Sequence, residues 1–215
     1  TYEVAWDKNG DATWETWYKS RPFSGSFNIF GLKSQVLGGL AYDVLKNIRH
    51  CIAFTDGGTI WLSLSQSNKP YSFSDQNTAI ISDTMDIAYH DGSAFLYISS
   101  SDNGTISLHK TRDEGVTSTM ALVVGAGDYS AIEWTPNNLL YVYRLDPSGN
   151  LFARVLDAQE NVVSAENATN LSGLDQAGFD IRVFVDSSQN QIIGVTYQIG
   201  GARLFKTSRD GYNFS

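Results

Sequence analysis

The residues Asp86-Ile87-Ala88-Tyr89, followed by Phe95-Leu96-Tyr97-Ile98, form two short apolar segments separated by a polar stretch. Both segments are rich in β-branched and aromatic residues, which is typical of strands. The same pattern occurs three more times: Asp43 to Leu45 before Cys51 to Phe54, Ala131 to Trp134 before Leu140 to Tyr143, and Asp180 to Val183 before Ile192 to Val195. Equivalent positions at Val44, Ile87, Ile132 and Ile181 are 43, 45 and 49 residues apart. The chain therefore contains an internal repeat.

Each repeat continues with a polar turn and further segments of strand length. Asp56-Gly57-Gly58 precedes Thr59 to Ser65, and Asp102-Asn103-Gly104 precedes Thr105 to Lys110. Asp, Asn and Gly at these corners supply the positive φ that tight hairpin turns require. Small meandering sheets that repeat every roughly 40 to 50 residues are typical of β-propeller blades.

The predicted fold is therefore all-β, a β-propeller of about five small blades with three or four strands each. Blades are expected at 41–83, 84–127, 128–176 and 177–215. Residues 1–40 carry N-terminal strands, which form either a fifth blade or an antiparallel extension of another domain. Because the last unit has only Tyr212 to Phe214 where an outer strand should be, Thr1 to Trp6 are expected to close the ring there. The alternative is that further chain or partner subunits complete the propeller ring.

Composition limits the function classes. Aromatic residues make up 13% of the 215 residues and charged residues 18%, below the roughly 25% of an average domain, which excludes a disordered chain. A formal net charge of −8 argues against sequence-specific nucleic-acid binding, which needs clustered Lys and Arg. No apolar stretch is long enough to span a membrane, so we expect a soluble protein. The chain opens at Thr1 without a signal-type segment, which suggests a processed product or a piece of something longer.

Three turns resemble the Asp-box of sialidase-like propellers, Ser/Thr-x-Asp-x-Gly-x-Thr-Trp. The matching residues are Asp56, Gly58 and Trp61; Thr111, Asp113 and Gly115; and Ser208, Asp210 and Gly211. The second match has Ser118 in place of the tryptophan, and the third is shortened. In that family the box is a structural corner away from the active site, so the resemblance implies fold and not catalysis. Ordinary hairpin turns are the alternative explanation.

Candidate residues for catalysis and metal binding are sparse. Sialidase-type hydrolysis would need an arginine triad, a tyrosine paired with a glutamate, and an aspartate. The available pieces are Arg21, Arg144, Arg154, Arg203, Glu133 and Tyr143. Five small blades are fewer than the six of that family, so we predict no catalytic residues and no enzyme.

No metal or cofactor is expected either. Asp7 to Asp11 spaces three oxygen ligands as a calcium loop does, but its glycine comes early and the twelfth position is Tyr18, so a hairpin explains it better. The histidines share no spacing typical of a zinc site. The single cysteine, Cys51, is expected to be a buried small hydrophobic residue.

The N-terminal stretch Ala12 to Phe23, followed by Phe27 to Ser34, resembles an aromatic strand pair of bacteriophage virion proteins built on propellers, including nozzle proteins of short-tailed phages. Val142 to Leu151 and Leu204 to Gly211 resemble phage propeller repeats. The resemblance implies a virion location in the phage tail. It also implies a non-enzymatic structural component of the tail, nozzle or adsorption apparatus, with other virion subunits as partners in a homo-oligomeric ring.

Two other functions stay open. The first is a lectin-like propeller that binds a host-surface glycan, with Trp61 and Trp134 as the candidate ligand contacts because aromatic rings stack on sugars. The second is a sialidase-like glycoside hydrolase.

Overall fold

In a computed structural model the chain consists of antiparallel β-sheets arranged in series. The structure describes residues 2–7, 14–19, 33–37, 49–66, 69–82, 84–90, 93, 95–112, 117–176, 178–186 and 190–215. Side chains are described from Cys51 onward, except those of 52, 56 and 64–74. The described residues form strands and turns and no helix, and therefore none that could cross a membrane.

The strands form four consecutive meanders and one pair. Sheet I contains β3 (Lys33–Leu37), β4 (Arg49–Asp56), β5 (Thr59–Gln66) and β6 (Lys69–Ile81). Sheet II contains β7 (Thr84–His90), β8 (Phe95–Asp102), β9 (Thr105–Thr111) and β10 (Thr119–Ala126). Sheet III contains β11 (Tyr129–Trp134), β12 (Leu140–Leu145), β13 (Leu151–Leu156) and β14 (Val162–Ala168). Sheet IV contains β15 (Asp180–Val185), β16 (Gln191–Ile199) and β17 (Ala202–Ser208), and a separate pair is formed by β1 (Tyr2–Asp7) and β2 (Trp14–Lys19).

Successive sheets pack face to face through three apolar cores. Between sheets I and II the core includes Ile60, Leu62, Ile87 and Ile98. Between sheets II and III it includes Tyr97, Leu108, Ile132 and Val142, and between sheets III and IV it includes Tyr143, Leu151, Ile181 and Val195. Neighbouring sheets also touch through their first strands, since β7 contacts β3 and β11, and β11 contacts β15. This serial packing of small meanders is the blade arrangement that the sequence predicts.

The inner strands of the two middle sheets bury both faces. In β8, Leu96 and Ile98 face sheet I, whereas Tyr97 between them faces sheet III. Alternate residues of a strand point to opposite faces, so a strand between two sheets is apolar throughout. Burying each large side chain contributes roughly 1.5–3 kcal/mol. The low charge of the sequence follows from this packing. Cys51 is also buried, as predicted.

One strand within the predicted N-terminal segment 1–40 belongs to sheet I. Lys33–Leu37 pairs with β4, from Lys33 opposite Ala53 to Leu37 opposite Arg49. This strand supplies the first position of sheet I. The repeat marker Val44 lies outside the described residues. β1 pairs with β2, from Tyr2 opposite Lys19 to Asp7 opposite Trp14.

The end of the chain occupies part of the outer edge of sheet IV. Ser215 exchanges two backbone hydrogen bonds with Thr207, of 2.9 and 3.2 Å, whereas Tyr212 to Phe214 do not form a strand. Closure of the ring by the N-terminal strands, and the division of the chain into the predicted blades, stay predictions.

Candidate ligand-binding site

A cavity of about 370 Å³ lies where the first strands of sheets II, III and IV begin. Its walls include Thr84 of β7, Tyr129 of β11 and Asp180 of β15, because these three strands run side by side. The remaining wall comes from β16 and β17, through Thr196, Tyr197, Gln198 and Arg203. The volume falls in the range of roughly 300–1,000 Å³ that is typical of small-ligand sites.

Three aromatic residues give the cavity its apolar surface. Tyr129 and Phe179 are half-buried and pack on the core between sheets III and IV, and Tyr197 belongs to that core. The turn before β15 passes close to Tyr129 because Gly178 has a φ of +87°, and a Cβ there would lie 3.4 Å from the Tyr129 ring. A glycine thus allows the backbone to approach the aromatic ring.

The charged groups of the cavity divide into paired and unpaired ones. Arg182 donates from Nη1 to Asp180 Oδ1 at 3.0 Å and lies 3.5 Å from Glu133 Oε2. These contacts hold Arg182 and occupy Asp180. Arg203 is exposed at the cavity wall and, within the residues the structure describes, forms no ion pair. A guanidinium without an internal partner is available to a ligand through its five donors.

Asp86 also lines the cavity, but its carboxylate ties two sheets together. Oδ1 accepts a hydrogen bond from the backbone N–H of Ile87 at 2.8 Å, and Oδ2 accepts one from the N–H of Ile132 at 2.8 Å. Ile132 belongs to the neighbouring sheet, so the buried Asp86 links β7 to β11. Its role in this geometry is structural.

The tryptophans proposed as ligand contacts lie away from this cavity. Trp134 is at the far end of β11 from Tyr129, where its ring stacks on His90 at 4.2 Å and meets Tyr97 edge-on at 5.3 Å. Trp61 is half-buried on β5, in sheet I. Neither residue is part of the cavity wall.

The Asp-box-like turn after β17 is a hydrogen-bonded corner. Asp210 Oδ1 accepts from Ser208 Oγ and from the backbone N–H groups of Tyr212 and Asn213, each at 2.8 Å. The N–H of Asn213 is the largest cause that lowers the pKa of Asp210 below its ordinary value. Gly211 has a φ of +81°, and its carbonyl accepts from the Tyr143 hydroxyl at 2.8 Å. This corner therefore fastens sheet IV to sheet III.

The other two box-like turns are described only in part. Asp56 is the last residue of β4, and Gly58 lies in the following turn with a φ of +74°. Thr111 is buried at the end of β9. Asp113 and Gly115 lie outside the described residues.

The residues considered for sialidase-type chemistry do not come together in the described part of the chain. Arg144 binds Glu166 through two hydrogen bonds of 2.9 and 2.6 Å and contacts the Ala126 carbonyl, away from the cavity wall. Tyr143 is buried, and burial raises the pKa of its phenol. Arg21 lies outside the described residues. In the described residues no three His, Cys, Asp or Glu side chains form a group that could hold a metal ion.

A recurring corner was missed at the sequence level. Asp146 and Asn150, Asp157 and Asn161, and Asp186 and Asn190 each join the ends of a hairpin turn. In all three the aspartate carboxylate accepts from the backbone N–H of the asparagine at 2.8–2.9 Å. The signal was present as Asp-x-x-x-Asn spacing between strands, and it marks hairpins rather than a binding site.

Comparisons with known proteins support the fold. No protein-family model and no curated protein sequence match the chain. Among solved structures, a fungal lectin from Aleuria aurantia, described as a six-bladed β-propeller with a novel fucose recognition mode, aligns with a TM-score of 0.65 and 11% identity, covering 96% of this chain and 66% of the lectin. A mutant NanB sialidase from Streptococcus pneumoniae aligns with a TM-score of 0.55 and 14% identity, covering 90% of this chain and 32% of the sialidase.

The xyloglucan PUL GH43B protein of Bacteroides ovatus aligns with a TM-score of 0.53 and 10% identity, covering 78% of this chain and 38% of that protein. The chain thus spans between about a third and two thirds of these proteins. At such identities the likeness concerns the fold alone, and it shows that the chain has a β-propeller fold.

Proposed function

We propose that the chain is a non-enzymatic β-propeller module that binds a carbohydrate in the cavity at the first strands of sheets II to IV. The observation that carries the proposal is the composition of that cavity, in which Tyr129 and Phe179 lie beside Gln198 and Arg203. A sugar presents an apolar C–H face that stacks on aromatic rings, and hydroxyl groups that accept and donate hydrogen bonds. The same wall offers both kinds of contact.

The absence of catalysis is part of the proposal. Most glycoside hydrolases require two carboxyl groups with distinct roles as acid and as base or nucleophile, and sialidases replace the nucleophile with a tyrosine but still use a carboxyl acid. Of the carboxylates in the cavity wall, Asp86 accepts from two backbone N–H groups and Asp180 binds Arg182. Both are engaged in contacts that hold the wall. Incubation with fluorogenic sialosides and aryl glycosides is expected to give no turnover, and turnover by the folded protein would contradict this part.

Binding is tested on a glycan array, followed by calorimetric titration of the best ligand. Arg203→Ala is expected to weaken binding by at least about tenfold, since a charge-assisted hydrogen bond contributes roughly 1.5–3 kcal/mol. Arg209→Ala is the matched control. Arg209 is also exposed and directly follows β17 of the same sheet, but it lies outside this cavity. Trp134→Ala is expected to retain binding. An equal loss of binding in Arg203→Ala and Arg209→Ala would contradict the assignment of the binding site to this cavity. A loss of binding confined to Trp134→Ala would contradict it too.

A second function, as a scaffold in a larger assembly, is favoured by apolar side chains on the outer strands. Met120, Val123, Val162 and Val163 are each more than half exposed. Where such residues form one contiguous patch, they are typical of contact surfaces between subunits. A ring of virion subunits fits this reading, but its phage origin rests on the sequence resemblance alone. A molar mass by light scattering that equals one chain at micromolar concentration would contradict the scaffold function.

A further inference from the structure

One face of sheet IV is not covered by another sheet in the described part of the chain. We call it the open face and define it by Phe184 of β15, Ile192 and Gly194 of β16, and Phe205 of β17, which the strand registers bring to one side. The opposite side, with Ile181, Ile193 and Val195, is buried against sheet III. On the open face Phe205 is 60% exposed and Phe184 is 41% exposed.

The two phenylalanine rings form a continuous apolar surface over Gly194. A Cβ at Gly194 would lie 2.8 Å from Phe205 Cε2 and 3.0 Å from Phe184 Cε1, so both rings lie directly above this glycine. The missing side chain leaves room for them to lie low against the sheet. In sheets II and III the corresponding faces are covered by the next sheet. An aromatic sheet face of this kind is suited to packing against another sheet.

We infer that the β1–β2 pair packs on the open face of sheet IV and forms the next blade of the ring. The pair needs such a partner, because an isolated two-stranded sheet is marginally stable at best in water. In the described residues β1 and β2 pair only with each other. The inference does not require the proposed carbohydrate binding, although the open face and the cavity share Arg182 and Arg203.

The composition of the pair fits the open face. The two six-residue strands contain five aromatic residues, Tyr2, Trp6, Trp14, Trp17 and Tyr18. They also contain three acidic residues, Glu3, Asp7 and Glu15, and one basic residue, Lys19. The open face carries Arg182 and Arg203 beside its phenylalanines, and only Asp180 as an acid. The pair as a whole is therefore aromatic and acidic, which is the composition expected of a partner for an apolar and basic face.

The chain is long enough to make the connection. Residues 20–32 separate β2 from β3, and thirteen residues can extend over roughly 43 Å. In a closed ring the blade that follows sheet IV lies beside sheet I, whose first strand is β3. The chain would thus pass from the outer part of this blade directly into the first strand of the next, as it does between the other sheets. Closure of the ring would also add a wall to the cavity, because Arg182 and Arg203 belong both to the open face and to the cavity wall.

The test uses the full chain and two substitutions matched in exposure. Three of the five tryptophans lie within residues 2–19, so their fluorescence reports on the pair. Phe205→Asp places a charge on the open face, whereas Val163→Asp places one on the outer strand of sheet III, where Val163 is 58% exposed. Both positions are solvent-accessible, so both variants are expected to fold. Hydrogen exchange of residues 2–7 and 14–19 is measured alongside acrylamide quenching.

In the unsubstituted protein we expect amides of 2–7 and 14–19 to be protected at least about tenfold over an unstructured peptide, to the same extent at low and at high protein concentration. Phe205→Asp should abolish that protection and raise the quenching constant, and Val163→Asp should change neither. The inference is overturned if the pair exchanges freely in the unsubstituted protein, or if Phe205→Asp and Val163→Asp behave alike. It is also overturned if protection of the pair rises with protein concentration, because the occupant would then be a second copy.

Discussion

The hydroxyl of Tyr143 offers a sharp test of how sheets III and IV are joined. Tyr143 lies on β12 with none of its surface exposed, and its hydroxyl donates to the carbonyl of Gly211 at 2.8 Å, 68 residues along the chain. Tyr143→Phe removes this donor and leaves the ring in place. The ring still stacks on Tyr141, with centroids 6.2 Å apart, and meets Phe214 edge-on at 6.3 Å.

The expected cost follows from burial. Because Gly211 is buried as well, water cannot readily replace the lost donor, and an unsatisfied buried acceptor costs about 1–3 kcal/mol. The apolar area buried by the ring is nearly unchanged, so no cavity penalty is added. In a protein of this size each kcal/mol lowers Tm by about 2–4 °C.

Urea denaturation followed by tryptophan fluorescence measures the difference in the free energy of unfolding. The matched control is Tyr212→Phe, because the Tyr212 hydroxyl also donates at 2.8 Å, to Ser164 Oγ, but is only half-buried. Water can replace that bond, so we expect a cost below about 1 kcal/mol. A cost of Tyr143→Phe equal to or smaller than that of Tyr212→Phe would refute the reasoning.

Three further predictions concern the contact between sheets III and IV and the contact between sheets II and III. Gly211→Ala should lower Tm more than Tyr143→Phe does, because a φ of +81° costs roughly 1–2 kcal/mol for alanine and the new Cβ would clash with the Tyr141 ring. An unchanged Tm would contradict this. Asp210→Asn should destabilise the protein more at pH 7 than at pH 3. The pKa of Asp210 is lowered in the folded state, so its carboxylate stabilises the fold above the ordinary carboxyl pKa, and this contribution is lost as the pH falls toward the folded-state pKa. If urea titrations showed a difference in unfolding free energy between the two proteins that grows on acidification, the prediction would be wrong. Asp86→Ala should cost about 1.5–3 kcal/mol and increase hydrogen exchange at Ile132, whose N–H loses its acceptor, and unchanged exchange there would show that the link is dispensable.

Much of the fold could be predicted because its signals are local. Ile87, Ile132 and Ile181 mark the first strands of sheets II, III and IV, as the repeat indicates. The sequence does not mark β6 over its full length, because Asp75 to Thr78 are polar. These residues form the outer strand of sheet I through hydrogen bonds to β5, and an outer strand does not need an apolar pattern.

The candidate site was harder to predict. Trp134 is a reasonable sugar contact by residue type, but the structure stacks its ring on His90, from the neighbouring sheet. In the sequence Arg203 is one of several arginines on or beside predicted strands. What distinguishes it is its place in the cavity wall and the pairing of Arg182 with Asp180, which a sequence does not reveal.

By itself the sequence determined that the chain forms a series of small antiparallel sheets, because strand alternation and the positive φ of Gly-rich turns depend on neighbouring residues. Only the tertiary structure decided which side chains meet. The Asp86 carboxylate reaches an N–H 46 residues away, and the cavity collects residues from three sheets. Contacts of this range arise from how the sheets stack on one another. That stacking also separates Arg203, open to a ligand, from Trp134, engaged between two sheets.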